Sequence, residues 1–159
     1  MKKALIAYFS ASGVTEGAAK ILAKITGADL YKIDPQIPYT HADLNWNDKQ
    51  ARSTVEMHDK SIRPAIADKN ANIADYDVIY VGFPIWWYVA PTIINTFLES
   101  YDFSGKTIVL FATSGGSGFG NTVKELEGSC SGAKIIEGRV FRGGQPESEF
   151  KKWVDSLVF

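Results

Sequence analysis

The chain has 159 residues, of which 45% are hydrophobic and 22% charged, with a formal net charge of -1 and one cysteine. These values are typical of a single globular domain over 1–159; they exclude an internal disulfide and favour neither nucleic acid nor a membrane surface as partner. The apolar run 4–9 is too short for a usual signal peptide or a membrane span, so we expect a cytoplasmic protein.

The first third of the sequence predicts a strand, a tight turn, a helix and a second strand. The continuous apolar run 4–9 is typical of a strand that is buried on both faces. Over 14–26 the apolar residues recur at helical spacing, and Gly27 supplies a helix stop. The more polar "DLYKI", 29–33, predicts a strand at the edge of a sheet.

The least regular region is the connection 35–72. Within it "NDKQARSTVEMHD", 47–59, predicts a helix that Asn47 caps. The connection leaves the second strand at the carboxyl edge of the sheet, where it could cover a ligand as a partial lid. The alternative is an ordinary surface helix, with Trp46 and Met57 packed against the protein.

The rest of the chain continues the alternation of strands and helices. Further strands are predicted at 77–83, 106–113 and 133–141, and the helices follow Pro91, at 121–127 and at 146–159. Such alternation predicts an α/β fold, a doubly wound parallel sheet with helices on both faces, because parallel strands need crossover connections. Ligands of such folds bind beyond the carboxyl ends of the strands, so three loops there become candidate sites.

The loop "SASGVT", 10–15, joins the first strand to the first helix. Backbone N–H groups at a helix start attract an anion, the hydroxyls of Ser10, Ser12 and Thr15 add donors, and Gly13 permits a tight turn. The loop lacks the lysine of triphosphate loops and the glycine spacing of dinucleotide folds, which favours a monophosphate. The alternative is that Ser12 caps the helix and Ser10 satisfies the strand end.

The other two loops follow the third and fourth predicted strands. "PIWWYVAP", 84–91, holds three aromatic residues that either stack on a planar ring or fold back onto the core. The glycines of "TSGGSGFG", 113–120, suggest a chain that passes close to something flat. Together the three loops predict a pocket for a flat heterocycle joined to one phosphate.

These residues resemble the flavodoxin family, and "GFPIWWYVAP" is most similar to a branch of small bacterial flavodoxin-like proteins. The resemblance covers nearly the whole chain and implies a five-stranded parallel sheet, in the order 2-1-3-4-5, that holds FMN non-covalently. It implies that the first loop holds the phosphate and that the other two flank the ring. The implied residues are Ser10, Ala11, Ser12, Gly13, Val14 and Thr15 for the phosphate, Pro84, Ile85, Trp86, Trp87 and Tyr88 for one side of the ring, and Thr113, Ser114, Gly115, Gly116, Phe119 and Gly120 for the other.

The chain departs from the flavodoxin pattern in three respects. Val14 stands where many flavodoxins carry asparagine, and the aromatic loop replaces a glycine whose peptide flips when the flavin takes up one electron. The net charge of -1 lacks the strong acidity that steers electron-carrying flavodoxins to basic partners. The last two departures favour two-electron chemistry on a small molecule over electron transfer between large partners. The resemblance itself implies an FMN-binding electron-transfer protein with a redox partner protein, and this is our main expectation. The alternatives are an NAD(P)H-dependent, quinone-reductase-like FMN oxidoreductase with a small-molecule acceptor, and a binding module without redox activity.

The resemblance requires no catalytic acid, base or nucleophile, because the flavin would supply the chemistry. His41 and His58 lie away from any cysteine or carboxylate cluster, so we expect no metal site, and Cys130 is expected to be inert. No lysine or arginine occurs from residue 10 to 15, which predicts a low flavin reduction potential. An arginine arriving from elsewhere, such as Arg52 or Arg63, would weaken that expectation.

Overall fold

The centre of the fold is a sheet of parallel strands, seen in a computed structural model that describes residues 3–143 and 145–157. Neighbouring strands follow the order β2-β1-β3-β4-β5, and every pairing is parallel. This arrangement confirms the predicted fold class. In chain order the strands are β1 (Ala4–Tyr8), β2 (Asp29–Lys32), β3 (Val78–Pro84), β4 (Thr107–Thr113) and β5 (Lys134–Phe141).

Helices connect the strands and cover both faces of the sheet. In the part of the chain that the structure describes, three further single turns of 3-10 helix lie at Ala42–Leu44, Ile73–Asp75 and Glu127–Ser129. No helix within the described ranges is long and apolar enough to cross a membrane. Residues 158 and 159, which end the predicted last helix, lie outside the described residues. The α-helices are α1 (Val14–Thr26), α2 (Arg52–His58), α3 (Thr92–Glu99), α4 (Thr122–Leu126) and α5 (Glu147–Ser156).

The central strands β1, β3 and β4 bury side chains on both faces, as their continuous apolar runs predict. Leu5 and Ala7 of β1 face a core that α3 and α4 complete, whereas Ile6 and Tyr8 face a core completed by α1 and α5. β2 lies at the sheet edge and is mostly exposed, which agrees with its polar sequence. The sheet is thus packed on both faces, and the candidate loops leave from the ends of these packed strands.

The helix predicted over 47–59 is shorter than expected. α2 begins after Ala51, and Asn47 does not cap it. The side chain of Asn45 instead accepts a hydrogen bond from the backbone N–H of Asn47, and that of Asp48 accepts one from the N–H of Gln50. Such bonds to the residue two positions ahead form turns that compete with helix, so this segment stays irregular until Ala51.

Candidate functional site

The three candidate loops meet at the carboxyl edge of the sheet. β1 pairs with β3 so that Tyr8 lies opposite Gly82, and β3 pairs with β4 so that Pro84 lies opposite Thr113. The strands thus end at nearly the same level. The segments 10–15, 84–91 and 113–120 therefore leave neighbouring points of one edge, as expected for parallel strands.

The first loop makes a tight turn that is closed by its own serine. Gly13 has a φ of 94°, in the left-handed region that favours glycine. The Ser10 hydroxyl accepts hydrogen bonds from the backbone N–H groups of Gly13 and Glu16, each at 3.1 Å. Ser10, rather than Ser12, therefore satisfies a donor of the first turn of α1.

Several donors of this loop remain open. The backbone N–H groups of Val14 and Thr15 lie in the first turn of α1, where an α-helix supplies no acceptor. Neither they nor the exposed Ser12 hydroxyl bonds to another residue that the structure describes. These groups sit at the positive end of the α1 dipole, so the loop can hold an anion such as a phosphate.

A cation that the sequence analysis did not predict lies beside this loop. The Arg142 guanidinium is 3.4 Å from the carbonyl oxygen of Gly115, and Arg142 lines a cavity of about 270 Å³ together with Gly13 and Val14. The two arginines considered from sequence are occupied elsewhere, since Arg52 pairs with Glu56 and Arg63 with Glu99. Arg142 directly follows β5. Because ligands of this fold bind beyond the strand ends, that position could have identified Arg142 as a candidate site residue from sequence.

The aromatic loop forms a tight two-residue hairpin turn. Trp86 and Val89 exchange both backbone hydrogen bonds, at 2.9 and 3.1 Å. Between them Trp87 has a φ of 47° and Tyr88 a φ of 67°. This is the pattern of a type I′ turn, which normally contains asparagine and glycine. Two bulky residues in the left-handed region are strained, and such strain is typical of functional sites.

Residues of the β2–β3 connection hold Trp86 in place. The Trp86 ring meets the rings of Phe9 and Tyr39 edge-on, with centroids 5.7 and 5.4 Å away. The Arg52 guanidinium lies 3.8 Å from the centroid of the Tyr39 ring, and the Tyr39 hydroxyl donates to Glu56. Burial and then this hydrogen bond raise the pKa of Tyr39. The sequence analysis missed this support because its members are far apart in the chain.

The glycine-rich loop approaches the aromatic turn directly. Gly120 has a φ of 54°, and a Cβ at that position would lie 2.4 Å from the carbonyl oxygen of Tyr88. The sequence predicts that this loop passes close to something flat. At Gly120 the loop instead passes close to the backbone of the aromatic turn. Phe119 is buried in the core, where its ring packs edge-on against Phe83 with centroids 6.3 Å apart.

The aromatic loop, the glycine-rich loop and the β2–β3 connection line a cavity of about 720 Å³. Its size is within the range of small-molecule sites. Trp46 is 70% exposed at this cavity, whereas Met57 is buried, so the connection packs down only in part. The lining residues are Leu44, Trp46, Ser53, Ile85, Trp86, Trp87, Tyr88, Ser114, Gly115, Gly116 and Ser117. None of these described residues carries a charge.

A second cavity of about 350 Å³ links the first loop to the aromatic one. It shares Ile85, Trp86, Ser114 and Gly115 with the larger cavity. The predicted site residues that line the described cavities are Ser12, Gly13, Val14, Pro84, Ile85, Trp86, Trp87, Tyr88, Thr113, Ser114, Gly115 and Gly116. The predicted residues outside those linings are Ser10, Ala11, Thr15, Phe119 and Gly120.

Solved structures of known proteins share this fold along nearly the whole chain. A Bacteroides uniformis protein is 48% identical, with a TM-score of 0.92 over 98% of this chain and 99% of its own. A flavoprotein from Lactobacillus acidophilus, solved in complex with FMN, is 27% identical, with a TM-score of 0.68 over 97% of this chain and 99% of its own.

Sequence relatives point in the same direction over a shorter stretch. An FMN-dependent NADH:quinone oxidoreductase of Bacillus cereus is 30% identical over 81 residues, which are 50% of this chain and 38% of that protein. The chain thus matches well under half the length of this curated relative. The sequence profile described as "Flavodoxin" matches residues 3–157. The chain therefore belongs to the flavodoxin family, as its three loops predicted.

Proposed function

We propose that the chain binds one FMN non-covalently and transfers electrons through it. The observation that carries this proposal is the continuous path from the open donors of the first loop to the uncharged aromatic cavity. The phosphate group would accept hydrogen bonds from the N–H groups of Val14 and Thr15 and from the Ser12 hydroxyl. The flavin ring would lie between the Trp86–Val89 turn and residues 114–116.

The chemistry of these residues fits that cofactor. The helix start offers donors to a phosphate, and the larger cavity offers apolar, aromatic walls to a flat ring. FMN supplies the redox chemistry when it is bound, so the protein needs no acid, base or nucleophile at the site. The chain's own residues orient the cofactor and exclude water from it. The FMN complex of the Lactobacillus acidophilus flavoprotein supports the choice of cofactor.

A second candidate function is an FMN oxidoreductase that transfers two electrons from NAD(P)H to a small molecule. The conformation of the Trp86–Val89 turn favours it. A flip of the peptide between Trp87 and Tyr88 would convert the type I′ turn into type II′. That turn demands at Trp87 a backbone conformation that essentially only glycine adopts. The chain therefore opposes the peptide flip by which many flavodoxins favour one-electron reduction.

The partners differ between the two candidates. An electron carrier would meet a redox partner protein, whereas a reductase would bind NAD(P)H and a small acceptor. The name of the Bacillus cereus relative, an FMN-dependent NADH:quinone oxidoreductase, supports the reductase, although the match covers 38% of that protein. In either case we place the protein in the cytoplasm, since its single cysteine can form no internal disulfide.

The test begins with titration of the apoprotein with FMN. Quenching of the FMN fluorescence is the signal that measures binding. Binding of one FMN per chain supports the proposal. A protein that takes up no FMN and stays colourless would instead be a binding module without redox function. The FMN-loaded protein is then reduced under anaerobic conditions, once by photoreduction and once by NADH or NADPH, while the visible spectrum is recorded. A strong long-wavelength band under light, with no reaction with nicotinamide, identifies a one-electron carrier. Direct bleaching by nicotinamide without that band identifies the reductase.

A further inference from the structure

We propose that Tyr39 and Glu56 form a proton-coupled electron donor that restores Trp86 after a one-electron oxidant has oxidised it. Trp86 loses one electron to the oxidant. Tyr39 then gives one electron to Trp86 and its hydroxyl proton to Glu56. The oxidant is FMN excited by light, so this part of the inference rests on the proposed function. The oxidation ends on Tyr39, which lines neither cavity of the site.

Trp86 is the point where the proposed cofactor site meets the aromatic side chains behind it. Its side chain lines both cavities. The ring centroid of Phe9 lies 5.7 Å from that of Trp86, and the ring centroid of Tyr39 lies 5.4 Å away. Electron transfer between rings in contact is fast, because its rate falls steeply with distance. Phenylalanine is much harder to oxidise than tryptophan, so of these two neighbours only Tyr39 can reduce oxidised Trp86.

The Tyr39 hydroxyl has a proton acceptor in place. It donates a hydrogen bond to Oε1 of Glu56, a side chain that is buried. An oxidised phenol is a far stronger acid than a carboxylic acid, so the proton moves to Glu56 as the electron leaves. Tyrosine is easier to oxidise than tryptophan only when this proton is removed. The hydrogen bond therefore gives the electron transfer its direction, from Tyr39 to Trp86.

Arg52 couples the loss of the electron to the loss of the proton. Its guanidinium carbon lies 3.8 Å from the centroid of the Tyr39 ring. This cation opposes a positive charge on the ring, so oxidation of Tyr39 requires departure of the proton. Arg52 Nε also donates to Oε2 of Glu56 at 3.0 Å, which leaves Oε1 to the Tyr39 hydroxyl. Burial and then the bond to Glu56 raise the pKa of Tyr39, so the hydroxyl keeps its proton before oxidation.

The sequence of transfers closes without net oxidation of the protein. One electron passes from Tyr39 through Trp86 to the flavin, and it later returns from the flavin to Tyr39. Glu56 then gives the proton back to the Tyr39 hydroxyl. Trp86 stays oxidised for a shorter time and has less chance to react irreversibly with water or oxygen. The pair thus protects the wall of the cofactor site from damage by light.

Two other tyrosines each have one half of this arrangement. The Tyr31 hydroxyl donates to Asp68 at 2.6 Å, but its ring stacks on Phe97 rather than on a tryptophan. The ring of Tyr80 meets that of Trp153 with centroids 6.1 Å apart, but its hydroxyl bonds to no carboxylate among the described residues. Tyr31 and Tyr80 therefore supply matched controls.

The test uses FMN-loaded protein under anaerobic conditions. Transient absorption after a short laser pulse follows the tryptophan and tyrosyl radicals, and electron paramagnetic resonance of samples frozen under illumination identifies the tyrosyl radical. We expect the tyrosyl radical to form as the tryptophan radical decays. The transfer should be slower in D₂O, because a proton moves with the electron. Tyr39→Phe keeps the ring but should abolish the tyrosyl radical and prolong the tryptophan radical.

Variants of the neighbouring residues sharpen the test. Glu56→Gln keeps an oxygen that accepts the Tyr39 hydrogen bond but cannot take up the proton, so it should resemble Tyr39→Phe. Trp86→Phe removes the intermediate ring and should also abolish the tyrosyl radical. Tyr31→Phe and Tyr80→Phe should behave as the wild type. A full yield of tyrosyl radical in Glu56→Gln, or an equal loss in Tyr39→Phe and Tyr31→Phe, would overturn the inference.

A second measurement separates this inference from the proposed function. Azide radicals from pulse radiolysis oxidise tryptophan side chains in the apoprotein, where FMN takes no part. Tyrosyl radical should then form at a rate independent of protein concentration, with a smaller yield in Tyr39→Phe than in Tyr31→Phe. Equal yields would refute the transfer from Tyr39 to Trp86 and leave the proposed function standing. A chain that shows the difference but takes up no FMN would contradict the proposed function and leave this transfer standing.

Discussion

The hydroxyl groups of Thr15 and Thr113 lie 2.7 Å apart and are buried, although 98 residues separate them in the chain. The bond joins the start of α1, beside the proposed phosphate site, to the end of β4, beside the proposed ring site. It links two loops that follow β1 and β4, strands that β3 separates in the sheet. In the proposed FMN complex, the position of the phosphate relative to the ring would therefore depend on this pair.

Thr113→Val removes one partner of this bond and leaves the Thr15 hydroxyl buried and unpaired. We expect a loss of about 1–3 kcal/mol in the free energy of unfolding, because an unpaired buried hydroxyl carries its full desolvation cost. The double variant Thr15→Val with Thr113→Val should lose less than the sum of the single variants. Urea denaturation of all four proteins measures this coupling, and strictly additive losses would contradict it.

Gly120→Ala tests the contact between the glycine-rich loop and the aromatic turn. The new Cβ would meet the Tyr88 carbonyl at 2.4 Å, and the left-handed backbone of Gly120 adds strain. We expect a loss of at least about 1–2 kcal/mol in unfolding free energy and weaker FMN binding. Gly118→Ala is the control, since no atom lies within 4 Å of its Cβ and its φ is not positive. Equal behaviour of the two variants would refute the role of Gly120.

Trp87→Gly tests the argument about the peptide flip in the Trp86–Val89 turn. Glycine at this position permits the type II′ turn and removes a conformational cost of about 1–3 kcal/mol. More of the long-wavelength, one-electron-reduced form should then accumulate during photoreduction of the FMN-loaded protein. Tyr88→Gly relieves strain at the next position but keeps tryptophan at position 87, where the type II′ turn requires a glycine conformation. The long-wavelength absorption band should therefore stay weak in this variant. The idea would be wrong if both variants gained the band equally.

Arg142→Gln tests the cation beside the first loop. We expect FMN affinity to fall about two- to fivefold at low salt and less at high salt, because the exposed guanidinium acts on the phosphate through a screened field. Riboflavin, which lacks the phosphate, should bind both proteins equally. Lys134→Gln at the opposite end of β5 is the control and should leave FMN affinity unchanged. A parallel loss of riboflavin affinity would show that Arg142 acts through structure instead of charge.

The thiol of Cys130 should react slowly. Burial and then the nearby Glu127 carboxylate raise the pKa of this thiol, so less of the reactive thiolate is present at any pH near neutrality. The reaction with Ellman's reagent at pH about 8 should be much slower in the folded protein than in urea, where a free cysteine has its ordinary pKa. Equally fast reaction in both states would contradict the buried position.

Local sequence patterns were sufficient to predict the order of the strands and helices and to propose the kind of site they carry. Continuous apolar runs mark strands buried on both faces, and helical spacing marks the helices between them, so the parallel sheet followed from local patterns. An anion site could be predicted at 10–15 because a strand, a glycine turn and a helix start are consecutive in sequence. The resemblance to flavodoxins rested on the residues of all three loops and was confirmed by the match over residues 3–157.

Residues that are distant in sequence come together at the candidate site only in the folded protein. Arg142 reaches the first loop only because β5 ends at the same edge, and Tyr39 supports Trp86 only because the connection folds back over the sheet. α2 starts late because side chains at 45 and 48 form local turns that no helical pattern shows. Such contacts depend on the relative placement of segments tens of residues apart, and apolar spacing within one segment carries no information about it.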